Sequence, residues 1–273
     1  MNETPIFFPA SDYKLFGVLH MPVDRSAQEA FVFCHPFAEE KLWTHRVYVS
    51  FARELTKAGY AVLRLDCMGQ GDSNGDFSDS TIESMQNDIE SGIEYVKTKL
   101  DGDIKINLLG LRFGATLAAL VAEKNNAINK LILWDPIVDG SRYMQEILRS
   151  NLSAQLAMDG EVSKNREQLI EEMREGKTVN YEGYDLTEKL FEQVCQINLI
   201  EENKMFKGSC CIVQISKEGR PVRKEIQSLA EIYESVDIFQ ADEEPFWREI
   251  KKYYGRANNL FFVTLNWLKS CTN

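Results

Sequence analysis

Residues 106–123 read INLLGLRFGATLAALVAE, and the order of events within them decides the fold. Residues 106–109 read as a short strand. Gly110-Leu111-Arg112-Phe113-Gly114 is bracketed by glycines, and an alanine-rich helix follows over 115–123. Glycine at both ends lets the backbone turn sharply without a Cβ in the way. The central residue is thereby lifted to a helix N-terminus, beside backbone N–H groups that have no partner inside the helix. That residue is Arg112.

The same alternation continues on both sides. Upstream, residues 4–8 and 15–20 read as a hairpin with Ser11-Asp12 at its turn. Residues 30–34 (AFVFC) read as a strand buried on both faces, and 45–58 as an amphipathic helix closed by Gly59. A strand over 61–65 ends at Asp66. The turn-rich loop 69–73 follows, then a helix over 80–99 with Ser80 as its N-cap and Glu83 three residues on. Downstream, residues 131–134 form a strand before Asp135-Pro136. Strand, helix, strand and helix resume at 210–215, 222–234, 236–240 and 257–269.

Between the two regular stretches, residues 140–207 are helical in pattern, over 141–157, 163–175 and 185–196. Strands alternating with helices predict an α/β fold, a mostly parallel eight-stranded sheet with helices on both faces. The core then comprises residues 1–139 and 208–273, and residues 140–207 form a helical cap. In such sheets ligands bind beyond the carboxyl ends of the strands, which directs attention to His35, Asp66, Arg112, Asp135 and Ser216.

Composition narrows the partners. The chain has 273 residues and a net charge of −11, which disfavours nucleic acid and anionic membrane surfaces. Six cysteines show no metal-type spacing, and free thiols suit a reducing compartment. Cys210 and Cys211 are adjacent on a predicted strand and so face opposite sides of the sheet. No signal-peptide pattern and no membrane-length apolar run are present, so a cytoplasmic protein is expected. No cofactor is implied, and the acidic patches Glu39-Glu40 and 242–244 lack a metal-loop pattern, so a solvated or salt-bridged face is expected there.

A glycine-flanked turn between strand and helix is the setting of the nucleophile elbow, G-x-S-x-G. Together with His35-Pro36-Phe37-Ala38-Glu39-Glu40, the 66–77 segment (Asp66, Gly69-Gln70-Gly71-Asp72-Ser73, Gly75-Asp76-Phe77), Trp134-Asp135-Pro136 and Phe246-Trp247, it makes the chain resemble the α/β-hydrolase superfamily, serine aminopeptidase-like branch, over about residues 16–268. More narrowly, the chain resembles exosortase-system-associated hydrolases of the second type, which implies hydrolase ancestry and a link to surface-polymer export. The superfamily's strand order implies that the strand before His35 and the strand before Asp135 flank the one before Arg112.

Two parts of the superfamily's catalytic triad are missing. Arginine stands at the nucleophile position, and a permanently protonated guanidinium has no attacking lone pair. The base histidine should follow the last strand, yet the region 240–247 (QADEEPFW) has none; the three histidines are His20, His35 and His45. A serine nucleophile needs a base within hydrogen-bond reach.

Several readings stay open. Arg112 either anchors an anion under the cap or pairs internally with Asp135, Asp66 or an acid of the 242–244 run. The candidate ligand contacts are His35, Phe37, Arg112, Phe113, Asp135 and Trp247, around a small anionic or acyl ligand. His35 either lines the pocket or holds its loop, and Asp135 either orients His35, neutralises Arg112 or makes an Asp-Pro turn. Cap tyrosines 143, 181 and 184 either line the pocket or pack the cap. Phe246 and Trp247 fill the place of the base histidine. Cys67 reads as a structural thiol, and Ser216-Lys217 has no supporting context. The alternatives to a ligand-binding protein are a hydrolase of ester, thioester or peptide-like bonds working through His35, Arg112 and Asp135, and a non-catalytic interaction scaffold.

Overall fold

The computed structural model describes residues 2–23, 27–100, 103–159, 164–201, 205–248 and 254–271. Its order begins with the hairpin β1 (Asn2–Ala10) and β2 (Tyr13–Met21), then β3 (Glu29–Cys34), α1 (Glu39–Lys57) and β4 (Ala61–Leu65). A 3-10 turn over Phe77–Asp79 precedes α2 (Ile82–Lys99), β5 (Lys105–Leu111), α3 (Phe113–Lys124) and β6 (Ile128–Trp134). The insert follows as α4 (Gly140–Asp159), α5 (Arg166–Arg174), the small hairpin β7 (Val179–Tyr181) and β8 (Tyr184–Leu186), and α6 (Glu188–Cys195). The core resumes with β9 (Ser209–Ile215), α7 (Lys224–Glu231), β10 (Val236–Ala241) and α8 (Asn258–Ser270). This is the α/β-hydrolase fold.

The eight-stranded sheet runs β1-β2-β4-β3-β5-β6-β9-β10. β1 and β2 pair antiparallel, β2 meets β4 antiparallel, and the rest is parallel. Register aligns the strand ends at the centre: Cys34 lies opposite Gly110, and Leu111 opposite Trp134. His35, Arg112 and Asp135 therefore leave the sheet at one level.

The central strands are apolar on both sides, so each must be covered twice. On one face Val32, Leu108, Leu133 and Cys210 pack with α2 and α3. On the other, Phe33, Leu109, Trp134 and Cys211 pack with Tyr48 and Phe51 of α1 and Phe261 of α8. The adjacent cysteines thus part to opposite faces. Complete burial of one such side chain is worth roughly 1.5–3 kcal/mol. Trp134 Nε1, which would otherwise be an orphaned donor, donates to Thr264 Oγ1 at 3.0 Å.

Four element ends differ from expectation. α1 starts at Glu39 rather than residue 45, and Glu39 and Glu40 occupy its first turn, where the helix dipole favours carboxylates. The N-cap of α2 is Thr81, not Ser80: Thr81 and Ser84 bond each other's backbone N–H in a capping box. Asn165 and Gln168 cap α5 in the same way; its expected start at residue 163 lies outside the described residues. α6 starts at Glu188 rather than residue 185, because Tyr184–Leu186 forms β8 against β7. No helix among the described residues is long and apolar enough to cross a membrane.

Candidate functional site

The elbow is built as its glycines require. A Cβ on Gly110 would meet Gly114 O at 2.2 Å, and one on Gly114 would meet Cys34 O at 2.2 Å, so neither position tolerates a side chain. Between them Arg112 sits at φ 55°, ψ −124°, immediately before α3. Ala38 (φ 48°) and Asp135 (φ 45°) take positive φ at the neighbouring strand ends. Three non-glycine residues near the carboxyl ends of the central strands thus hold sparsely populated backbone conformations.

Arg112 is 8% exposed and lies among carboxylates. Its Nε and Nη2 donate to Glu40 Oε1 at 3.4 and 3.3 Å, and Nη1 stands 3.7 Å from Asp135 Oδ2. Trp247 lies over the guanidinium at 5.0 Å and Tyr143 at 5.6 Å, both in cation–π range. Asp135 has better partners elsewhere: its Oδ1 accepts from Ile215 N at 3.1 Å and from Arg223 Nη2 at 3.0 Å.

One cation shared between two buried acids explains the protonation equilibria. Burial works against the Arg112 charge, but Glu40, Tyr143 and Asp135 outweigh it and hold the guanidinium protonated. Burial pushes the Glu40 carboxyl up, and Arg112 at long range only partly offsets this. Asp135 is raised by burial too, against the pull of Arg223 and Arg112.

Above Arg112 opens a cleft of about 370 Å³. Its described lining comes from α1 (Glu39, Glu40, Trp43), α4 (Tyr143, Glu146, Ile147, Ser150), the small hairpin (Tyr181, Glu182) and the segment after β10 (Trp247, Arg248). Tyr143 is 3% exposed, and its hydroxyl and the Glu40 carboxyl are buried together, each shifting the other's protonation. Tyr184 instead packs edge-on against Phe77 at 5.0 Å.

Of the sequence candidates, Arg112 and Trp247 line this cleft, and Asp135 supports Arg112 from beneath. Phe37 and Phe113 lie in an aromatic cluster below it, where Phe113 stacks on Tyr143 at 5.6 Å. His35 is not among the lining residues. It stacks on Tyr48 at 4.7 Å and borders a smaller space with Phe37 and Cys67. Burial holds its basicity well below that of ordinary histidine, aided by Lys41, Arg64 and His45, and its Nδ1 has no partner among the described residues. Burial likewise keeps the Cys67 thiol protonated. Phe246 is buried and stacks on Tyr254 at 5.2 Å.

Of the acids expected as alternative partners of Arg112, only Asp135 approaches it. Asp66 pairs with Lys41 at 2.7 Å, Glu243 accepts from Asn259 N at 2.7 Å, and Glu244 pairs with Lys217 at 2.9 Å. The partner missed from sequence is Glu40, read there as part of a solvated or salt-bridged face. Its position just past the strand end that flanks the elbow was the available signal.

The family model for serine aminopeptidase, S33, matches residues 25–229, more than half of the chain, which therefore belongs to this α/β-hydrolase family. Among solved structures, Est1E from Butyrivibrio proteoclasticus with ferulic acid bound is 18% identical, with a TM-score of 0.71 over 97% of this chain and 98% of that one. GrgF, an alpha/beta hydrolase from Penicillium sp. sh18, is 17% identical with a TM-score of 0.66, over 99% of each chain. The esterase domain of a Rhodothermus marinus protein is 15% identical with a TM-score of 0.64, over 98% of each chain. At these identities the likeness concerns the fold. No curated protein matches the chain, and neither the family model nor these three structures carry the exosortase association.

Proposed function

We propose that this chain is a member of the family that binds an acyl compound without cleaving it, its carbonyl oxygen on Arg112 and its apolar part between the aromatic walls of the cleft. The observation that carries this reading is the state of Arg112: its charge is matched by Glu40 and Asp135, but its hydrogen bonds are not, with contacts of 3.3–3.7 Å. A guanidinium has five N–H donors. A neutral carbonyl oxygen takes such donors without adding charge. A free anion is the less favoured ligand, because it would meet Glu39, Glu40, Glu146 and Glu182 around the same cleft. Hydrolysis through His35 is the less favoured chemistry, because His35 is a depressed base with no orienting partner and Asp135 is engaged by Arg223.

Thermal-shift titration with acyl esters, amides and thioesters, beside simple carboxylates and phosphates, tests the reading. Acyl compounds should raise Tm, and Arg112→Lys, which keeps the charge but loses the fork, should weaken their binding by about tenfold or more. Fluorophosphonate should label no serine. Turnover of a p-nitrophenyl ester that is lost in Arg112→Lys, or stronger stabilisation by carboxylates than by acyl compounds, would overturn it.

A further inference from the structure

A chain of alternating charges runs from the cap to the floor of the cleft. Arg142 of α4 meets Glu225 at 3.2 Å, Glu225 meets Arg223 at 3.3 Å, and Arg223 meets Asp135 at 3.0 Å. Asp135 then stands 3.7 Å from Arg112, which meets Glu40 at 3.3 Å. The outer pairs face water and are screened, so the chain acts through its buried half. There the spacing is uneven: Asp135 lies between two arginines and is nearer to Arg223 than to Arg112.

Arg223 is built into that place. It is the residue before α7, and its backbone N–H donates to Gln214 Oε1 at 2.7 Å. Gln214 is buried on β9, and its side-chain amide donates to Pro221 O at 3.1 Å, so the turn that carries Arg223 is pinned to the sheet. Among the groups that oppose the effect of burial on the Asp135 carboxyl, Arg223 comes ahead of Arg112. A space of about 70 Å³ is lined by Arg112, Arg142 and Arg223 together. The Arg112 guanidinium therefore has room to shift toward Asp135.

We propose that Arg223 is a positioning residue: by drawing Asp135 to itself, it leaves the N–H donors of Arg112 open to a ligand. The inference rests on the reading of the cleft as an acyl-binding site, in which those donors receive the carbonyl oxygen. Arg223 is not among the residues lining the cleft, so it acts through Asp135 alone. A buried carboxylate needs a cation and hydrogen-bond donors. Without Arg223, Asp135 keeps the Ile215 N–H but has only Arg112 to answer its charge. A fork that closes on a carboxylate makes strong, directed bonds, and its donors are then occupied. The weak grip on Arg112, at 3.3–3.7 Å, is on this account maintained by the firm grip of Arg223 on Asp135.

Calorimetric titration of the full chain with methyl cinnamate, a neutral ester, reads the effect. Arg223→Met should weaken binding about fivefold or more, whereas Arg223→Lys, which keeps a cation beside Asp135, should retain most of it. Arg223→Met/Asp135→Asn should bind as wild type does, because the competitor for Arg112 is gone; general damage to the cleft would not be repaired by a second change. Asp135→Asn alone should bind at least as tightly as wild type, and it decides the matter if Arg223→Met does not fold. Carbon-detected NMR of the arginine side chains gives a readout without ligand: rotation about the Arg112 Nε–Cζ bond should slow in Arg223→Met and recover in the double variant. Equal ester binding by wild type and Arg223→Met, a fall that the double variant does not repair, or weaker binding by Asp135→Asn overturns the positioning role and leaves the acyl reading intact. If no acyl compound stabilises the wild type, the acyl reading falls, and the NMR pattern then upholds the positioning of Arg112 by its presence or overturns it by its absence.

Discussion

Glu40 and Lys41 are consecutive on the first turn of α1, yet they serve two ion pairs of opposite character. Lys41 meets Asp66, at the end of β4, at 2.7 Å. That pair is in close contact and leaves no room beside it: a Cβ on Gly71 would stand 1.9 Å from Asp66 Oδ2. Glu40 meets Arg112, at the end of β5, at 3.3 Å, beneath a cleft of about 370 Å³. The first is a strut between helix and sheet. The second balances charge but leaves donors underused, and this difference in grip, rather than the presence of charge, separates a structural pair from a site.

The largest test of the contrast is removal of the shared cation. Arg112→Met strands Glu40 in the interior, while Asp135 keeps Arg223, and should cost about 3–5 kcal/mol in urea unfolding at neutral pH. Lys41→Met should cost less, about 1–3 kcal/mol, because Asp66 keeps contact with water. A larger loss at Lys41 than at Arg112 breaks the comparison.

Glu40 sharpens it through pH. Its carboxyl is raised in the fold, so the folded protein binds that proton more tightly than the unfolded chain. The contribution is complete below the ordinary glutamate value, about pH 4.3, and is lost as pH rises through the elevated one, at no more than about 1.4 kcal/mol per pH unit. Wild-type stability minus that of Glu40→Gln should therefore fall with rising pH across that window; a difference that rises or stays flat rejects the assignment. The smallest expected effect is that of Trp247→Ala, which removes the ring over Arg112 and should cost about 0.5–2 kcal/mol.

Much of this was readable beforehand, for physical reasons. Glycine has no substitute at Gly110 and Gly114, so the elbow announced itself, and strand-length patterns located all eight strands of the main sheet but not β7 and β8. The start of α1 was less legible because a polar opening turn carries no apolar periodicity. Thr81 and Ser80 are both good caps, and only the backbone conformation at Thr81 separates them. Glu40 as the partner of Arg112 was hidden because 72 positions separate them in the chain.

The sequence by itself determined the sheet, the turn at its centre and the identity of the residue there, because these follow from local sterics and the spacing of apolar side chains. Only the tertiary structure decided which acids answer Arg112, that His35 turns toward Tyr48 rather than the cleft, and that α1 and the β7-β8 hairpin both bring carboxylates to the cleft. Coulombic and hydrogen-bond partners depend on distance in space, which no local pattern encodes.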